Sequence, residues 1–163
     1  MTTVLLVVLV VSVVAAYLTW IAGRVDRLHA RCDAAGAALD AALVRRAAAA
    51  ERLATLTDVL TDDVAEEVDD AAASALESGP DDPEREVAEN RLSRAIAAIP
   101  MDPSDPWLDE LRTCNGRVRM ARQFYNDAVR DARTLRLKPV PRYLRLAGRR
   151  ELPEYFEIDD RVL

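Results

Sequence analysis

The chain has 163 residues, half of them apolar but only 5% aromatic, and a formal net charge of −6. That length suits one anchor and one domain, and the acidic balance argues against nucleic acid as a partner. Alanine supplies much of the apolar content, so the interior should be built from small side chains packed closely. Helices pack that way; strands favour β-branched and aromatic residues, and five glycines leave few hairpin turns. The expected fold class is all-α: an N-terminal transmembrane helix continuing into an antiparallel bundle of about four helices, then an irregular C-terminal tail. The expected division is residues 1–23 as anchor, 24–138 as bundle and 139–163 as a tail that is basic and then acidic.

Residues 4 to 22 read VLLVVLVVSVVAAYLTWIA, 19 residues without a charge. That is long enough to cross ~30 Å of hydrocarbon as a helix. Val4, Leu5, Leu6, Val10, Val14, Tyr17 and Trp20 are the expected membrane-spanning residues. Tyr17 and Trp20 suit the interface, which places the bilayer edge near Trp20. A valine-rich run looks strand-like in water, but in lipid the backbone must satisfy itself, which favours helix. A cleaved signal peptide would want a basic start, a shorter apolar stretch and small residues at a cleavage site; Met1-Thr2-Thr3 has no basic side chain, and the run ends in Leu18, Trp20 and Ile21. Arg24, Arg27 and Arg31 lie just beyond the run, so the positive-inside rule places the domain in the cytoplasm and the N-terminus outside, at an inner (plasma) membrane.

Beyond the span the apolar pattern becomes periodic. Ile21, Val25, Leu28, Cys32, Ala35, Leu39 and Ala42 alternate at spacings of four and three, and the seam continues through Ala49, Leu53, Leu56 and Leu60. This predicts one helix running from the membrane well past Arg46. A turn is needed somewhere between residues 45 and 60, and the sequence does not mark it. Residues 58 to 76 read as a second helix with the stripe Val59, Leu60, Val64, Val68, Ala72 and Leu76. Ser78-Gly79-Pro80-Asp81-Asp82-Pro83 is a break, with Gly79 able to cap the second helix and Asp82 able to start a third. Residues 84 to 99 carry Val87, Ala88, Leu92, Ala95, Ile96 and Ile99 on one side. Three prolines between 100 and 106 form a second loop, with Ser104 a candidate N-cap and Trp107 an early anchor. In the last helix Leu111, Val118, Tyr125 and Ala132 recur every seven residues. So do Trp107, Cys114, Ala121, Ala128 and Leu135. Such a coiled-coil-like heptad seam in a short domain predicts packing in a bundle. Pro139 and Pro141 end it.

Charge is segregated. Residues 58 to 89 hold thirteen acids and one base, Arg85, whereas 111 to 150 hold twelve bases and two acids, Asp127 and Asp131. The two stretches could lie side by side or stand as separate solvated faces. The acid pairs Asp62-Asp63, Glu66-Glu67 and Asp69-Asp70 lack a calcium loop and read as a solvated face. His29, the one histidine, reads as a solvated residue just past the membrane. Cys32 and Cys114 belong to no CxxC and read as small buried hydrophobes. With no nucleophile or acid–base pair in evidence, no catalytic, cofactor-binding or metal-ligating residue is expected.

Two stretches carry functional hints. Arg117, Arg122, Tyr125 and Asn126 form a candidate polar cluster on and beside the final seam. Lys138, Arg142, Tyr143, Leu144, Arg145, Arg149 and Arg150 are candidate lipid-facing residues in a segment that mixes bases with apolar side chains and has no acid. If helices alternate in direction, this segment returns to the cytoplasmic leaflet, where anionic lipid favours it; the alternative is a clasp packed over the bundle.

Ala121-Arg122-Gln123-Phe124-Tyr125-Asn126-Asp127-Ala128-Val129 resembles the C-terminal signature of the LemA family. Asp40, Leu43, Arg45 and Arg46 match that family's first-helix motif, residues 88 to 95 resemble the stretch before its final helix, and Pro153, Tyr155, Phe156 and Glu157 resemble its closing motif. Gly36 stands where the family usually has Trp, and Glu51-Arg52 replaces a Pro-Asn that opens its second helix. The resemblance implies a bacterial single-pass protein with a cytoplasmic antiparallel bundle, without established enzymatic activity, in some members tied to membrane organisation. The expected function is therefore a membrane-anchored helical scaffold, with membrane lipid and unidentified proteins as partners. The alternative is a membrane-tethered sensor that binds a small polar or anionic ligand between helices.

Overall fold

The computed structural model describes residues 1–56, 60–80, 82–100, 106–144 and 150–159. Among these are five helices: α1 Thr2–Leu56, α2 Asp62–Glu77, α3 Arg85–Ala97, α4 Pro106–Arg136 and the short α5 Pro139–Tyr143. The described residues are helix, turn and irregular chain with no strand, as the alanine-rich, glycine-poor composition requires. The long α1 carries the predicted seam: Ile21, Val25, Cys32, Leu39, Ala42, Ala49 and Leu53 are buried. It ends at Leu56, which is exposed. The link that the sequence left unmarked therefore falls between Leu56 and Asp62.

The predicted boundaries shift at three places. The second helix begins at Asp62, not residue 58, with Thr61 at its N-cap and two acids in its first turn, where the helix dipole favours negative charge. Asp58, Val59 and Ser104 lie outside the described residues. Gly79 does not cap α2. Ser78 does, in an extended conformation, and its N–H and hydroxyl both donate to the Ser74 carbonyl, so no left-handed glycine is needed. The third helix begins at Arg85, and the Asp82 side chain accepts the Glu84 N–H just before it. A further departure lies in the tail: α5 is a turn of helix with Pro139 at its first position, where a missing N–H does no harm.

The chain divides into two compact units, Met1–Ala34 with Asp127–Glu154, and Ala35–Asn126 with Tyr155–Leu163. In the second unit one core cluster joins four helices. It contains Ala47, Ala49, Ala50 and Leu53 of α1, Val68, Ala71, Ala72 and Ala75 of α2, Leu92, Ala95 and Ile96 of α3, and Leu108, Leu111 and Cys114 of α4. Seven of these are alanines, which let backbones approach closely. Val87, placed by periodicity on the apolar stripe of α3, is instead exposed. A second cluster sets Leu39, Ala42 and Leu43 of α1 against Val118 of α4 and Ile158 of the tail, with Tyr125 and Phe156 packed on it. In this unit α1 and α4 run antiparallel: Arg52 pairs with Glu110, while Gly36 lies beside the Tyr125 ring.

In the first unit Ile21, Val25, His29 and Cys32 of α1 are buried, as are Ala128, Val129 and Ala132 of α4. Arg31 pairs with Asp131 at 3.3 Å. The heptad seam of α4 is buried or half-buried at every position from Trp107 to Leu135, so it packs within the chain.

Candidate functional site

Apolar side chains normally leave water, yet residues 1 to 20 of α1 are exposed except for half-buried Leu18. Val4, Leu5, Leu6, Val10 and Val14 are exposed on successive turns, so the apolar surface runs all round the helix. This helix is long and apolar enough to cross a membrane. A helix that is hydrophobic on every side needs an apolar surrounding. Its few polar groups sit accordingly. The Thr19 hydroxyl donates back to the Ala15 carbonyl, which satisfies it within the helix. Tyr17 stacks with Trp20 at 6.5 Å, and the Arg24 guanidinium lies 5.7 Å from the Trp20 ring centre. Tyr, Trp and Arg thus cluster at one end of the apolar run, the arrangement expected where hydrocarbon meets headgroups.

His29 is not solvated: it is 6% exposed. Its Nε2 lies 3.3 Å from Arg136 Nη1 and its Nδ1 2.9 Å from the Val25 carbonyl. Arginine can only donate, so Nε2 accepts and Nδ1–H donates to the carbonyl. Arg136 also donates to the carbonyls of Arg150 and Glu151, and Arg133 to that of Pro153. The C-terminal end of α4 therefore holds the tail by its backbone. Cys32 and Cys114 are buried and unpaired. Burial pushes the Cys32 thiol above its ordinary range, and Asp33 beside it adds to the effect.

The basic segment is mixed in character. Pro141 is buried, which fixes α5 to its unit, while Lys138, Arg142 and Arg150 are exposed. Leu137, Tyr143 and Leu144 are exposed too, Tyr143 at 82%. Arg145 and Arg149 lie outside the described residues.

The candidate polar cluster of α4 is divided. Tyr125 packs on the second core cluster. Arg117 lines an open cleft of about 390 Å³ with Arg45, Ala48 and Arg52 of α1 and Glu110, Thr113 and Cys114 of α4. Arg122 and Asn126 line a different cleft, of about 630 Å³, with Val87, Asn90 and Arg94 of α3 and Glu157, Ile158 and Asp159 of the tail. There the Asn126 side chain grips one residue twice: Nδ2 donates to the Phe156 carbonyl at 3.1 Å, and Oδ1 accepts the Phe156 N–H at 3.0 Å.

Buried ion pairs lie outside the residues expected to be functional: Arg85 of α3, 4% exposed, pairs with Asp40 of α1, and a larger polar centre surrounds Arg46. Arg46 is 2% exposed and Glu89 1%, and they pair at 2.5 Å. Arg46 also donates to the Ser93 hydroxyl and the Glu89 carbonyl, while Arg46 Nε and Glu89 Oε1 have no hydrogen-bond partner among the described residues. The signal was present: Arg46 falls four residues after Ala42 and three before Ala49, on the apolar seam itself. Some of the segregated acids also meet bases. Glu67 and Asp70 of α2 take Arg91 of α3, and Glu89 takes Arg46. The acid pairs from Asp62 to Asp70 are all exposed, as a solvated face requires.

No protein-family model, characterised protein or solved structure matches the chain.

Proposed function

We propose that the chain is a single-pass membrane protein of the LemA type, non-enzymatic, whose helical bundle recruits or organises partner proteins at the cytoplasmic face of the inner membrane. The observation that carries this reading is the bare apolar surface of α1 between residues 4 and 20, beside a packed alanine-rich core farther along the same helix. Arg24, Arg27 and Arg31 favour a cytoplasmic domain and an external N-terminus. Exposed Leu137, Lys138, Arg142, Tyr143 and Leu144 suit a second, electrostatic contact with anionic lipid.

Alkaline extraction of membranes from cells making the full chain tests the anchor. The protein should stay in the pellet with its first 23 residues intact by mass spectrometry. Release into the supernatant, or a mature chain starting near residue 23, refutes it. Cysteines introduced at Thr2 and Thr134, labelled with a membrane-impermeant maleimide in intact cells, test the orientation: only the first should react. Cross-linking in intact membranes tests the scaffold, and recovery of the protein without neighbours counts against it.

The cleft lined by Arg45, Arg52 and Arg117 favours a second reading, a sensor for a small anion. Thermal shift against phosphate and small carboxylates separates the two. No stabilisation by any of them, or equal stabilisation of an Arg45→Ala, Arg117→Ala variant, removes the sensor.

A further inference from the structure

Residues 155 to 159 have no regular secondary structure and are tied to α3 and α4 of their unit. Their main chain is held by side chains. Asn126 takes both the N–H and the carbonyl of Phe156. Glu86 Oε1 accepts the Glu157 N–H at 2.8 Å, and Asn90 Oδ1 accepts the Asp159 N–H at 2.7 Å. An asparagine amide presents one donor edge and one acceptor edge, as a peptide unit does, so this grip is indifferent to the side chain of the residue it holds. Selectivity falls to two apolar positions spaced by two: Phe156 packs on the second core cluster, and Ile158 is buried in it at 7% exposure. Between and beyond them Glu157 and Asp159 share a cleft with Arg94 and Arg122. Main-chain capture combined with pockets for alternate side chains is how proteins read extended peptides.

The tail fills this groove only in part. Tyr155, Glu157 and Asp159 remain exposed and Phe156 is only half-buried, while about 630 Å³ of open cleft lies alongside, with Val87 exposed on its wall. We infer that the α3–α4 groove is a peptide-binding site for an extended acidic segment of a partner protein, carrying an aromatic residue and an aliphatic residue two positions later, and that residues 155 to 159 are its built-in competitor. This rests on the scaffold reading only for the partner's presence at the membrane; the groove and its competitor stand or fall by binding alone.

The probe is a fluorescent synthetic peptide, ELPEYFEIDD, identical to residues 151 to 160. The receptors are the full chain in detergent micelles and the same chain stopped after Arg150. A tethered competitor acts at high effective concentration, so the stopped chain should bind the peptide at least tenfold more tightly than the full chain. Replacing the peptide's Phe and Ile by Ala, or Asn126→Ala in the stopped chain, should weaken binding at least tenfold; Arg45→Ala, in the other cleft, should leave it unchanged. A stopped chain with an unaltered helical spectrum that does not bind, equal binding by both chains, or equal binding of a scrambled peptide overturns the inference. If the stopped chain unfolds, the decision passes to the full chain carrying Phe156→Ala and Ile158→Ala, which must bind the peptide more tightly than the unaltered chain; no gain overturns it. A full chain that is dimeric by light scattering, and becomes monomeric when Phe156 and Ile158 are replaced, also overturns it, since the groove then serves tail exchange between copies.

Discussion

The two ends of α1 are the same secondary structure in two surroundings. Between residues 4 and 20 the helix is rich in valine and leucine, uncharged, and exposed at every position but half-buried Leu18. Between 39 and 53 it is rich in alanine, charged on one face, and buried on the other at Leu39, Ala42, Leu43, Ala47, Ala50 and Leu53. Large apolar side chains without periodicity call for a solvent that is apolar everywhere. Small apolar side chains at spacings of three and four call for other helices on one side and water on the other. The end with the greater hydrophobicity is thus the end that the described residues leave most exposed.

The largest test of this contrast places charge in the bare end. Val10→Arg with Val11→Arg should oppose insertion by about 2.5–3.5 kcal/mol for each arginine and move the protein out of the alkali-resistant membrane fraction. If the doubly charged chain stays in the pellet, the bare end is not a span. The packed end responds to loss of charge instead. Arg46→Ala should destabilise the bundle by roughly 3–5 kcal/mol, because Glu89 would remain buried without its partner; Arg45→Ala, one residue away and exposed, should change stability by no more than ~0.5 kcal/mol. Chemical denaturation of the detergent-solubilised chain measures both. Replacing Arg46 and Glu89 together by methionine and leucine should recover most of the loss, since paired apolar side chains satisfy the site without desolvated charge; no recovery would mean that the polar contacts themselves decide the packing.

Smaller effects sharpen the contrast. A Cβ at Gly36 would sit 3.5 Å from the Tyr125 ring, an ordinary contact. Gly36→Ala should therefore gain helix propensity of up to ~1 kcal/mol without a clash, seen as a raised midpoint in the same denaturation. A lowered midpoint would show that the close approach there needs glycine. The basic segment should act through lipid instead, at ~1 kcal/mol for each base near anionic lipid. In nanodiscs of anionic lipid, amides of residues 137 to 144 should exchange more slowly than in neutral nanodiscs, and Lys138→Glu with Arg142→Glu should erase the difference. Equal exchange in both lipids would assign the segment to the protein surface alone.

Much of this architecture is legible in residue order. The seam from Ile21 to Leu53 and the heptads of α4 are periodic, and periodicity survives folding because it is a property of the helix itself. Local breaks are legible where proline cannot continue a helix. The α2 cap is not, because glycine is only the commonest way to end a helix, and Ser78 achieves it in an extended conformation. Val87 departs from its stripe because a stripe three residues wide has edges, and which edge a neighbour covers is not a local property. His29 looks solvated in the sequence because its partner Arg136, and the tail that Arg136 clasps, lie more than a hundred residues away. The polar cluster of α4 divides because residues five and nine apart, Arg117 against Arg122 and Asn126, point into different clefts.

The sequence by itself determined the all-helical class, the apolar run, the course of α1 and the seam of α4, since each depends on the chain's own period and on the solvent each face prefers. Only tertiary structure decided which polar groups meet. Arg46 with Glu89, Asn126 with Phe156, and Glu86 and Asn90 with the tail are pairings across distant parts of the chain. They arise when helices come to rest side by side, and no spacing along the chain encodes them.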